Sequence, residues 1–366
     1  MSPISKKHLI IGGLGSVGKH LQRVLLDQGK EVVVMDRITD QRKVDQHLHH
    51  KSVEYVPFDL AKAEENSERL LSALHHIETV YSVVTPDVQH GTVRQFRHVN
   101  HRGVEALVRA CSAAPSVASF VYASSIAVTN HLIPSVNQSE ADPLPDMSTY
   151  TNWYDTTKRL GETAVLASND PARLHTCSLR FGGILASPTD YSMRNALETG
   201  TTHRHLWTLP YGARLDYQSG TDVASALARA HDKLLSSSDD LAGTALFVTQ
   251  DKSNESPRVT EVFEYIGESM GWKSRTVPQP VVDIVRHGRR AQYAVQSLLA
   301  VTAERQDQLP GMPPHVFMDI VNHEQTFDNT LARQVLDWEP ELSWKDAIDA
   351  ILDMYAASDK DGQQWS

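Results

Sequence analysis

The sequence predicts an α/β chain built on a doubly wound parallel sheet, with a smaller domain toward its C-terminal end. Short β-branched runs alternate with amphipathic helical patterns through the first half. Runs such as EVVVMD (31–36) are apolar without alternation, as strands covered on both faces are. The first run leads into a glycine-rich turn that opens a helix.

In chain order, the first strand is read at HLIIG (8–12), and its helix carries Val17, Leu21, Val24 and Leu25 on one stripe. Strands follow at 31–36, VEYVPFD (53–59), TVYSVVT (79–85) and SFVYASS (119–125). The helix after Asn100 sets Val104, Leu107, Val108 and Cys111 along one face. Two further strands are LHTCSLR (174–180) and TALFVTQ (244–250). After Leu185 the rhythm breaks. Residues 187–215 have no clean period, and from about 251 the chain is irregular between helices such as 260–270, until SWKDAIDAILDMYAA closes it.

The chain has 366 residues, 40% hydrophobic and 22% charged, which describes an ordinary globular protein. Its formal net charge of −10 argues against nucleic acid as a partner. No run approaches the roughly 18 apolar residues of a membrane span. The start, MSPISKKHLIIGG, is too short in apolar residues for a secretory signal, so a cytoplasmic location is expected. Cys111 and Cys177 sit in apolar surroundings and read as buried, inert thiols. The histidine clusters QHLHHK and LHHIE lack a metal-ligand pattern, so no metal is expected.

Gly12, Gly15 and Gly18 form G-x-x-G-x-x-G between strand and helix. The first allows a tight turn, the second a close approach of backbone to pyrophosphate, the third close helix–strand packing. The helix N-terminus, with Ser16 and Val17, offers N–H groups and partial positive charge to phosphates. Asp36 ends the second strand 18 residues past Gly18, where a carboxylate can accept both adenosine ribose hydroxyls. That favours NAD; Arg37 beside it leaves NADP as the alternative. On this basis residues 1–186, completed by 216–250, are expected to form a Rossmann-type dinucleotide-binding domain. Residues 187–215 and 251–366 are expected to form mainly a substrate-binding subdomain.

Tyr154 and Lys158 lie four apart, hence on one face of a helix. A phenol titrates near ~10 and becomes a useful base only where a positive charge favours its phenolate. The spacing alone is common by chance. Together with the glycine loop, however, it resembles the extended short-chain dehydrogenase/reductase superfamily. FDL (Asp59, Leu60) resembles that group's adenine-contacting segment. VYSVVTP, with Thr85, resembles the strand edge beside the nicotinamide ribose, and VNHRG the helix with a structural asparagine, here Asn100. VYASSIAV resembles the strand with the catalytic serine, here Ser125 with Ser124 as runner-up; LRFGGILA, YQSGTDVASALARAH and FDNTLARQVLDWEPELSWKDAI follow in the same order. The 29-residue gap from Ser125 to Tyr154 and LRFGGI resemble the 3β-hydroxysteroid dehydrogenase/isomerase group, including sterol-4α-carboxylate 3-dehydrogenases. Phe181 stands where that group usually has proline.

The resemblance implies an NAD-dependent oxidation of a secondary alcohol on a steroid- or terpenoid-like small molecule. Tyr154 would be general base or acid, Lys158 would favour the phenolate and hold the ribose, and Ser125 would hold the substrate oxygen. Asn100 would support the helix or a water relay. Trp207, Tyr211, Tyr217, Tyr191 and Met193 either line an apolar cleft or form the small domain's core. His203, Arg204 and His205 hold an acidic group or form a solvated loop, and Trp153 shapes the pocket mouth or packs. The alternatives are a dihydroflavonol-type NADPH reductase, a sugar-nucleotide epimerase, or a non-enzymatic nucleotide sensor. The family's habits leave a homodimer open.

Overall fold

The structure, a computed structural model, describes residues 6–360 apart from positions 211, 237, 252 and 254. Seven parallel strands form the central sheet, in the order Ala245–Val248, His175–Phe181, Ser119–Ser125, Ile77–Ser82, Lys7–Ile11, Glu31–Asp36, Glu54–Pro57. This is a Rossmann-type doubly wound sheet. Its order reverses between Lys7–Ile11 and Ile77–Ser82, whose C-terminal ends therefore flank a crevice.

Both faces of the sheet are covered, which explains the unbroken apolar runs. Leu9, Ile11, Val33 and Met35 point into one layer with Leu107 and Phe120. Their neighbours Ile10 and Val34 point into the other, with Leu21, Leu179 and Leu227.

Beyond the sheet, three small parallel pairs form: Gly183–Leu185 with Tyr217–Ser219, His205–Thr208 with Lys273–Thr276, and Ser135–Gln138 with Gln325–Phe327. An outer apolar cluster joins Leu185, Met193, Leu206, Tyr217, Ile266, Trp272 and Ile348. Two stretches are more regular than expected. Residues 187–215 hold the helix Tyr191–His203, which stops where Arg204 turns left-handed at φ 55°. Residues 251–320 hold, besides the expected helix at Val259–Ser269, the 21-residue helix Gln279–Leu299. Tyr191–His203 ends in weak helix formers, and packing holds it: a Cβ on Gly200 would lie 2.0 Å from the Trp272 ring. No helix is long and apolar enough to cross a membrane among the described residues.

The helix Trp153–Ala167 starts at Asn152, whose side chain accepts from the Asp155 N–H. It is tied to the sheet through Glu162. This carboxylate, fully buried, accepts from the Arg180 guanidinium at 2.7–3.2 Å and from the Ser178 hydroxyl at 3.0 Å. Glu162→Gln leaves the buried Arg180 charge without its counter-ion, so chemical denaturation is expected to show a loss of about 3–5 kcal/mol.

Candidate functional site

The glycine loop leaves the first strand at the crevice. Gly12 has φ +83°, and a Cβ there would meet the Val84 Cβ at 2.8 Å, so only glycine lets the loops after the two strands touch. A Cβ on Gly18 would lie 2.4 Å from the Gly12 carbonyl oxygen. The helix Ser16–Asp27 begins at exposed Gly15 with no side-chain cap, leaving its first N–H groups for an anionic ligand. Val17 is half-buried beneath them, packed on the core. The Ser16 hydroxyl bonds the half-buried Asp190 carboxylate, which also accepts from the Ala186 and Ser187 N–H groups at 2.7 Å.

Asp36 closes one side of the loop, accepting from the Leu14 N–H at 3.2 Å and the Arg37 N–H at 2.7 Å. The Arg37 side chain is exposed. Asp59 accepts from the Ala61 N–H at 3.0 Å and caps the turn Leu60–Lys62, with Leu60 buried. Thr85 is exposed in the loop that lies on Gly12. Asn100 is buried in a π-helical turn, Arg97–Gly103; its Nδ2 donates to the Thr157 hydroxyl at 3.5 Å, and its Oδ1 is sealed without a partner. Such π-turns widen a helix and recur at functional sites.

Ser125, Tyr154 and His131 meet at an apolar cavity of 480 Å³. Burial pushes the Tyr154 phenol up to about 12; the Ser125 hydroxyl pulls it down and Asp155 adds to the rise. Ser125 also accepts from the Ala127 N–H at 3.1 Å, whereas the Ser124 hydroxyl is sealed and unbonded, which favours Ser125 over the runner-up. Burial lowers Lys158 to about 7 despite Glu162 nearby. Its Nζ donates to the Ala123 carbonyl at 2.7 Å and sits 4.8 Å from the Tyr122 ring centroid.

Tyr191, Trp207 and Tyr217 line the cavity, while Met193 belongs to the outer core. Tyr211 lies outside the described residues. His203 and Arg204 are exposed, His205 is half-exposed, and none of the three reaches the cavity. Trp153 lies at the surface with Arg97 5.4 Å over its ring. No local pattern announced Phe317, Ile320 and Val321, which complete the cavity wall. Nor did one announce His131, whose Nδ1 is 3.1 Å from the fully buried Asp155 carboxylate and whose ring lies parallel to that of Tyr154, centroids 6.2 Å apart. Cys111 and Cys177 are buried and free. Away from this site, His8, Glu78 and His231 bring ligating atoms within 4.8 Å of one another, a grouping that the histidine clusters did not announce.

Residues 9–277 match the 3-beta hydroxysteroid dehydrogenase/isomerase family. The chain belongs to that family. Within it, the chain is 26% identical over 250 residues to the human sterol-4-alpha-carboxylate 3-dehydrogenase, decarboxylating, covering 68% of this chain and 63% of that protein. To the enzyme of the same name from Mus musculus it is 30% identical over 181 residues, 49% of this chain and 46% of that one. The chain thus spans about half to two thirds of the length of these curated relatives. Among solved structures, MoeE5 in complex with UDP-glucuronic acid and NAD shares the fold, with TM-score 0.67 at 20% identity over 96% of this chain and 99% of that one.

Lys158 binds its proton less tightly in the native state than in the unfolded chain, near 10.5. The unfolded chain therefore holds the extra proton between about pH 7 and 10.5, and stability rises with pH across that window. Lys158→Met is expected to stabilise the protein by about 2–4 kcal/mol at pH 6 relative to its effect at pH 10, read by denaturant unfolding.

Proposed function

We propose that this chain is an NAD-dependent oxidoreductase that interconverts a secondary alcohol and a ketone on a steroid- or terpenoid-like molecule. The observation that carries the reading is the meeting of Ser125 and Tyr154 at an apolar cavity of 480 Å³. The cavity takes a bulky apolar body, and its reactive end is walled by two hydroxyls. Family membership and the sterol dehydrogenases among its relatives support the same class.

The residues fit a dinucleotide. An uncapped helix N-terminus faces the position of a pyrophosphate, exposed Gly15 leaves room for it, and Asp36 is placed for an adenosine ribose. Asp59 and Leu60 would border the adenine and Thr85 and Lys158 would hold the nicotinamide ribose, while Asn100 bonds Thr157 on the helix that carries Tyr154. Bound NAD supplies the hydride acceptor. Ser125 donates to the substrate oxygen and holds it against Tyr154 Oη. Tyr154 takes the hydroxyl proton in oxidation and returns it in reduction, and its raised proton affinity suits the acid role. Lys158 is the cation available to the phenol and the ribose. A carboxylate β to the new ketone would then leave as CO₂ without further protein groups, its bonding pair passing to the ketone oxygen as an enolate that water protonates.

The reading includes residues 1–186 with 216–250 as the dinucleotide domain, residues 187–215 and 251–366 as the substrate subdomain, a cytoplasmic location, and a homodimer as the assembly to test. An epimerase of the sugar-nucleotide kind shares the fold, but its polar substrate suits this apolar lining poorly.

Tyr154→Phe removes the group that moves the proton and keeps the ring. Turnover of a 3β-hydroxysteroid with NAD, followed by absorbance, is expected to fall by about a thousandfold while NADH binding by fluorescence titration stays near wild type; unchanged turnover overturns the mechanism. Asp36→Ala removes the ribose acceptor and the charge that repels a 2′-phosphate. The ratio of NADP to NAD affinity is expected to rise by about tenfold or more, roughly 1.4 kcal/mol.

A further inference from the structure

We propose that His131, held by Asp155, is the counter-ion for a carboxylate that the substrate carries beside its reacting carbinol; this rests on the dehydrogenase reading above. His131 lines the cavity, and its ring lies parallel to that of Tyr154, so it flanks the reacting centre rather than the far end of the pocket. Asp155 is fully buried and accepts twice from the same residue, from the His131 N–H at 3.0 Å and the ring Nδ1 at 3.1 Å. The Gln325 amide holds the His131 carbonyl at 3.3 Å from the other side.

This arrangement fixes the ring in one orientation with its Nδ1 proton given to Asp155. Nε2 is left with no protein partner among the described residues. A carboxylate behind an imidazole stabilises its cationic form when a second anion approaches Nε2, as an orienting acid does in a catalytic triad. Among the cavity-lining residues there is no lysine or arginine, so His131 is the lining side chain able to carry a positive charge toward an anion. Asp216, the acid in the lining, has the opposite sign and accepts from the Phe327 N–H at 2.9 Å and from the Ser256 hydroxyl. Asp216 thus offers an acidic substituent no counter-ion, and His131 does. The mechanism above uses neither His131 nor the buried Asp155 charge, and a buried charge of this kind is costly unless it serves a partner.

The test is calorimetric binding, with NADH present so that the alcohol does not react. The ligands are a 3β-hydroxysteroid and the same steroid bearing a 4-carboxylate. Wild type is expected to prefer the carboxylate. In His131→Gln that preference is expected to fall by about tenfold or more. His131→Lys, which restores a cation, is expected to recover part of it. Asp155→Asn is expected to lower it too, with circular dichroism checking that each variant is folded. A purely structural role for His131 would weaken both ligands alike and leave their ratio unmoved. Binding of both ligands with the same ratio in wild type and His131→Gln overturns this inference and leaves the dehydrogenase reading standing. Failure of wild type to bind either steroid overturns the substrate reading and this inference together.

Discussion

The site depends on one buried ion pair. Glu162 is fully buried and Arg180 nearly so, and the two charges face each other. Ser178, on the same strand as Arg180, takes a further carboxylate lone pair. Their joint effect is to pin the helix Trp153–Ala167 onto the strand His175–Phe181. Tyr154 and Lys158 lie within the two turns before Glu162, so their reach into the crevice is set by that anchor. The pair is costly to desolvate and gains little net stability over an apolar pair. What it contributes is a single register of helix on sheet.

From that register follows an electrostatic balance. Burial drives the phenol and the ammonium in opposite directions on the pH scale, and both toward their neutral forms. The charge on these two groups therefore depends on pH. The phosphate end is different: there the helix terminus and its free N–H groups act as fixed partial charges that need no titration. One end of the crevice is thus prepared for an anion at any pH, and the other changes its charge with pH.

Much of this was legible in the sequence. The glycine loop, the strand ending at Asp36 and the helix carrying Tyr154 and Lys158 are written in local signals: turn chemistry, unbroken apolar runs and spacing by four. The helix Tyr191–His203 was not, because Gly200, Thr201 and Thr202 argue against it locally and the Trp272 ring that favours it lies far along the chain. The same holds for His131 and Asp155, 24 residues apart, and for Ser16 and Asp190, partners only once the sheet has formed. The Lys158 ammonium shows the limit of spacing as an argument. A shared helix face puts it near the phenol, but the carbonyl of Ala123 and the face of Tyr122 decide where it rests.

Gly161 carries a consequence of its own. A methyl group there would come within 2.3 Å of the Asn100 carbonyl oxygen and 2.9 Å of the Tyr122 hydroxyl. The helix therefore meets the backbone of the π-helical turn at Asn100 and the Tyr122 hydroxyl from the strand, through the space where a side chain would be. The depth at which Tyr154 sits is governed two turns downstream by a missing atom. The walls of the pocket can change freely, but that contact cannot thicken without shifting the helix that carries Tyr154.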